Sequence, residues 1–226
     1  MESSVQDRTG TARAADVPDP TRGETARAQE SRVIETKPIT ADPGPLGLAA
    51  FALTTFVLSI FNSGLMSEKG LPIVLGLALA YGGLAQLFAG LWEFRTGNTF
   101  GATAFCSYGA FWLSFWAFEQ FYAAKVPAAD LGHSVGLYLI AWGIFTTYMF
   151  VASLRTTAAI ALVFALLAAT FFLLGIGEAG GSTGLAKLGG WVGLVTAAAA
   201  WYASFAAVTN STFRRTVMPV VPLTRE

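Results

Sequence analysis

ADPGPLGLAAFALTTFVLSIFNSGL, residues 41–65, passes from helix breakers straight into an apolar run. Pro43, Gly44, Pro45 and Gly47 fall within five residues. From Leu46 the run has the roughly 20 residues that a helix needs to cross a hydrocarbon core. Proline has no amide hydrogen and a fixed φ, so Pro43 and Pro45 suit the start of that helix. Gly44 and Gly47 are expected to let the backbone bend and approach its neighbours. Asp42 is expected to cap the helix by accepting a backbone hydrogen bond, at an end where the dipole tolerates negative charge. Asp42, Pro43, Gly44, Pro45, Leu46, Gly47 and Leu48 thus read as a rigid cap, or as a cap that also shapes an entrance whose free amides attract an anion.

The rest of the chain repeats the pattern. Of 226 residues, 54% are hydrophobic and 12% charged, against about 25% charged in a soluble domain. The 24 glycines suit closely packed membrane helices. Five more apolar runs follow the first, at residues 71–92, 100–122, 134–154, 157–177 and 187–208. The expected architecture is therefore an all-α integral membrane protein with six transmembrane helices, over residues 41–213. Residues 1–40 mix six basic and seven acidic side chains with few apolar ones, and read as a disordered tail rather than a signal peptide. Residues 214–226 form a second short tail. An even number of spans puts both termini on one side. Arg32, Lys37, Arg95, Arg155, Arg214 and Arg215 flank helices on that side, against Lys69, Lys125 and Lys187 on the other. The terminus side is thus expected to be cytoplasmic, in a multi-pass cell-membrane protein.

Several classes are excluded by what the runs contain. The formal net charge is zero, which makes no case for nucleic acid. One cysteine, Cys106, cannot form an intrachain disulfide or a multi-cysteine metal site. The single histidine, His133, is expected in a loop, so no metal is expected. No cofactor motif and no catalytic constellation appears, so the chain does not read as an enzyme. Glu93 and Glu119 fall near helix ends, where they are expected to reach water, so no buried relay of carboxylates is expected. Uncharged polar groups are plentiful instead. Asn62 and Gln86 read either as helix–helix glue or as pore lining. Phe51, Thr55, Leu58 and Asn62 share one stripe of a helix. Ala78, Gly82, Gln86 and Gly90 form a second stripe, of small residues, that lets backbones close up.

In its full form the opening stretch resembles the signature of the acetate uptake transporter family, N-P-A-P-L-G-L-x-x-F, with Asp42 and Gly44 in place of Asn and Ala. Further matches keep register. They are Tyr81-Gly82-Gly83-Leu84-Ala85-Gln86-Leu87-Phe88-Ala89-Gly90, Glu93, Gly97-Asn98-Thr99-Phe100-Gly101, Ser107-Tyr108-Gly109, Trp142-Gly143-Ile144-Phe145-Thr146 and Arg215-Thr216-Val217-Met218-Pro219. The resemblance covers residues 42–219 and implies six helices around a pore in each subunit of a homohexamer. It implies movement of acetate and other small carboxylates, in some members succinate, linked to protons or through a channel. It also implies an apolar constriction at the positions of Phe51, Tyr108 and Leu167. Thr55, Asn62, Tyr81 and Gln86 are then candidates to replace water around the substrate, and a protonated acid crosses the ring more cheaply than a carboxylate. The Tyr108 hydroxyl is expected to donate the hydrogen bond there. Asp42 would repel an approaching carboxylate. The alternatives are a channel for a neutral solute such as urea or an amide, an ammonia-export protein, a sensor and a membrane scaffold.

Overall fold

The computed structural model describes residues 40–224. The expected N-terminal tail up to residue 39, with its share of the charge bias, and Arg225 lie outside the described residues. Six long helices follow one another: α1 (Gly44–Asn62), α2 (Ile73–Thr96), α3 (Thr99–Ala117), α4 (Ala128–Ser153), α5 (Ala158–Ala179) and α6 (Thr183–Phe213).

Local chemistry explains their ends. α1 starts behind Pro43 in the N-cap position, with Pro45 in the first turn. Asp42 is therefore not the N-cap residue; its Oδ1 accepts the Gly44 amide at 2.8 Å, an Asx turn one step earlier. Gly44 and Gly47 take no positive φ, so the prolines rather than these glycines set the bend. Gly47 acts by close approach, since a Cβ there would meet the Phe105 ring at 2.7 Å. α2 stops at Gly97, where φ is 77°, a left-handed position that glycine takes without strain. Asn98 then caps α3 by accepting the Gly101 amide at 3.0 Å. Thr157 and Ser182 cap α5 and α6 in the same way. Because α4 begins at Ala128, His133 lies within a helix rather than a loop. It is exposed there. Ala128 follows Pro127, which suits a helix start and extends the helix past the apolar run.

Each helix packs on the next, and α6 returns to α1, so the six form a closed ring. Small residues set the spacing. A Cβ on Gly82 would sit 2.6 Å from Thr54 Oγ1 of α1, and one on Gly109 of α3 would sit 2.8 Å from the Leu87 amide of α2. Ala78, Gly82, Gln86 and Gly90 are all buried, as the stripe predicts. α2 widens into a π-helical turn at Ala80–Ala85, a distortion common at functional positions. The α3–α4 joint is closed by rings instead. Phe111 stacks on Tyr138 and meets Trp142 edge-on, with centroids 5.7 and 5.3 Å apart.

The outer surface is apolar. Ile73, Phe88, Phe94, Leu137, Ile144, Val151 and Phe205 are all more than half exposed, the pattern of a lipid-facing bundle. Five helices are long and apolar enough to cross a membrane by length and composition, and α3 is not among them. Its Ser, Thr, Tyr and Trp side chains lower its hydropathy. Yet Phe105, Tyr108, Phe111 and Trp112 bury it among the other helices, where solubility in lipid is not required.

α6 ends at Arg214, and the chain turns back across the bundle end. Asn210 Oδ1 accepts the Val217 and Met218 amides at 2.7 and 2.9 Å, and its Nδ2 donates to the Met218 carbonyl at 2.8 Å. The Ala158 and Ala159 amides of α5 then donate to Val221 and Val220. Asn210→Ala removes three of these bonds and is expected to cost about 2 kcal/mol locally. The C-terminal segment should become cleavable by protease under conditions where the parent chain is intact, as seen by loss of a C-terminal tag.

Candidate functional site: an apolar ring with unpartnered polar groups

The interior of the ring is aromatic. Phe51, Tyr108 and Leu167 come from α1, α3 and α5, are 5%, 3% and 4% exposed, and belong to one buried cluster. The Phe51 and Tyr108 rings lie 5.9 Å apart. Phe145 and Phe164 pack on Tyr108 at 5.4 and 6.0 Å. Phe164 carries no signal in the sequence, and Trp142 and Phe145, though inside a matched motif, carry none that places them at the ring. In a chain with 18 phenylalanines, period alone does not mark which ones meet.

The tyrosine is oriented by α4. Its hydroxyl lies 2.9 Å from Thr146 Oγ1. Thr146 has one proton and donates it to the Trp142 carbonyl at 2.7 Å. Tyr108 must therefore donate to Thr146, which corrects the expectation that its proton is free for a substrate. What remains free on the Tyr108 oxygen is acceptor capacity.

The other candidates divide by burial. Thr55 and Gln86 are 6% and 1% exposed, and Thr55 Oγ1 and Gln86 Oε1 have no hydrogen-bond partner within the protein. Trp112 Nε1 is a third such group. Each unpartnered buried group costs about 1–3 kcal/mol, so all three are polar groups that the protein itself leaves unsatisfied. Asn62 is half-buried, away from the ring. It lines a cavity of about 460 Å³ at the far end, with Ser67, Glu68, Ser182 and Lys187. Tyr81 is half-buried in the π-helical turn and is not part of the aromatic cluster. Of the four, Thr55 and Gln86 are buried, and Asn62 and Tyr81 are half-buried.

Glu93 departs from expectation. It is 1% exposed and does not reach water. The α2–α3 turn folds over it: Asn98 Nδ2 donates to Oε2 at 3.0 Å, and the Thr96 hydroxyl lies 3.1 Å from the same oxygen. The sequence signal was present, an acid inside a matched motif, but nearness to a helix end read as exposure. Among the described residues, no group of three or more His, Cys, Asp or Glu is placed to hold a metal.

Comparison with known proteins fits this geometry. The chain is 41% identical over 180 residues to the succinate–acetate/proton symporter SatP of Escherichia coli K12, covering 80% of this chain and 95% of that protein. It is 45% identical over 173 residues to the ammonia transport outward protein 2 of Saccharomyces cerevisiae, covering 74% of this chain and 61% of the yeast protein. The chain thus spans less than two thirds of that relative. The solved structure of the bacterial acetate channel SatP superposes with a TM-score of 0.75 at 41% identity, over 80% of this chain and 99% of that one. With its apolar helices, the chain is an all-α, multi-pass membrane protein. The model of the GPR1/FUN34/yaaH family matches residues 25–225, and the chain belongs to that family.

Proposed function

We propose that the chain moves acetate and related small carboxylates, succinate among them, across the cell membrane, linked to protons and without catalysis. The observation that carries this reading is the meeting of Phe51, Tyr108 and Leu167 in one buried cluster, with Thr55 one turn beyond Phe51. The ring excludes water and is costly for a bare carboxylate, which loses its hydration with no counter-charge. A protonated acid has an O–H to donate, and the Tyr108 oxygen has a lone pair to accept it, its own proton being held by Thr146. Thr55 and Gln86 supply polar steps beside the ring, and Asn62 with Lys187 supplies one at the far mouth. All six helices cross the membrane in this reading, α3 included, with residues 41–213 as the transport domain between two tails. The termini face the cytoplasm, as the excess of arginine at that end supports. Six copies assemble with one passage in each, for which the glycine-rich helix faces leave room.

The test is uptake of labelled acetate into proteoliposomes, with and without an inward proton gradient. Urea and ammonium serve as parallel solutes, and protein-free vesicles report leak of the neutral acid. Protein-dependent accumulation that collapses with the gradient supports the reading. Equilibration without accumulation supports a channel, and urea or ammonium flux without acetate flux sinks the carboxylate assignment. Tyr108→Phe should fold normally, because Thr146 keeps its bond to the Trp142 carbonyl. It removes the acceptor in the ring, worth about 1 kcal/mol, so acetate uptake should fall by about fivefold. Unchanged initial rates would remove the hydroxyl from the mechanism.

A further inference from the structure

The carboxyl of Glu93 is buried against the start of α1. A Cβ on Gly44 would lie 3.0 Å from Asp42 Oδ1 and 3.4 Å from Glu93 Oε1, so both carboxyls approach this glycine. On the other side, a Cβ on Gly101 would lie 2.8 Å from the same Glu93 oxygen. Glycine at both positions is what leaves room for the carboxyl. Oε2 accepts from Asn98 and lies 3.1 Å from the Thr96 hydroxyl, whereas Oε1 is buried with no partner within the protein. The neighbouring groups offer no compensation. Asp42, ahead of α1, is acidic and already accepts the Gly44 amide. Arg95, on α2 itself, carries its guanidinium over the Trp92 ring at 5.7 Å. Asn98 and Gly101, from the turn and α3, are uncharged. α6 reaches this corner through the Ser204 hydroxyl, which donates to the Pro45 carbonyl at 2.7 Å. Among the described residues, the charged group that faces Glu93 is Asp42.

We propose that Glu93 and Asp42 form a proton-binding carboxyl pair at the terminus-side mouth, with the proton held on Glu93 Oε1. Burial without a cation disfavours the ionised carboxyl, and a second carboxylate nearby disfavours it further. The pair takes up one proton and gives up one negative charge. Such an acid gates carboxylate approach: at low pH the mouth repels an anion less, and at high pH more. The effect on flux rests on the transport reading above, but protonation of the pair does not.

The test is infrared difference spectroscopy of the full chain in lipid nanodiscs during a pH titration. A protonated-carboxyl C=O band should disappear as pH rises. Glu93→Gln should remove the band. Asp42→Asn takes away the neighbouring charge at an exposed side chain, so it should fold and move the midpoint down. A band that survives in Glu93→Gln, or a midpoint that Asp42→Asn leaves in place, overturns the pair. The pH profile of acetate uptake should shift down with Asp42→Asn in step with the band. A titrating band in a chain that moves no acetate leaves the pair standing and sinks the transport reading instead.

Discussion

Gly90→Val is expected to leave almost no correctly folded protein. A Cβ at this position would sit 2.5 Å from the Cys106 amide nitrogen, 2.6 Å from its sulfur and 3.0 Å from the Phe105 carbonyl carbon. The first and last are backbone atoms of α3, and a backbone cannot rotate away as a side chain can. α2 and α3 would have to separate, which breaks the approach on which Gly83 and Gly109 also depend. Overpacking of this kind costs about 3 kcal/mol, and here the strain spreads along a whole helix pair. Two controls isolate the cause. Cβ atoms on Gly76 and Gly184 would meet nothing within 4 Å, so Gly76→Ala and Gly184→Ala should behave as the parent chain. Thermal unfolding followed by gel filtration in detergent reads all three. Parent-like unfolding of Gly90→Val would mean that α2 and α3 are not held at this distance.

Leu167→Ala is expected to relax selectivity. Leu167 is 4% exposed and shares its cluster with Phe51, Tyr108 and Phe164. Truncation removes the aliphatic part of the proposed constriction and leaves the tyrosine anchored by Thr146. The expected result is uptake of a bulkier carboxylate, relative to acetate, raised about tenfold, equivalent to about 1.4 kcal/mol off its barrier. Phe51→Ala should act in the same direction. Leu→Ala in a packed interior also costs about 2–5 kcal/mol of stability, so each variant is compared at matched amounts of folded protein. Unchanged rates and selectivity in well-folded variants would place the constriction elsewhere.

How much was legible in the linear chain varied from feature to feature. The helices were legible because crossing a hydrocarbon core demands long apolar runs, and such runs are hard to produce by accident. Their ends were less so. α4 and α6 run past their apolar segments, to Ala128 and Phe213, because a helix continues into water for as long as its backbone bonds are made. The Ala78–Gly90 stripe was legible because small residues at helical spacing state a close approach directly. His133 was misplaced because polarity was read as a break in the helix.

Periodicity, composition and charge bias thus determined that this chain is a bundle of membrane helices, with small faces at its contacts and few charges inside. A matching set of motifs named its family and pointed to Phe51, Tyr108 and Leu167. Tertiary structure alone decided the rest. It returned α6 to α1, brought Thr146 to the Tyr108 hydroxyl, and left Thr55 and Gln86 without partners. It also buried Glu93 under the α2–α3 turn, against the glycines of α1 and α3. The physical reason is range. A helix and its exposed face are set by residues within a few turns, and so are the Thr96 and Asn98 partners of Glu93, whereas the partner of the Tyr108 hydroxyl comes from a helix 38 residues away and the glycine that closes over Glu93 comes from α1. Which proton is free, and which acid is dry, follows only once the helices have closed.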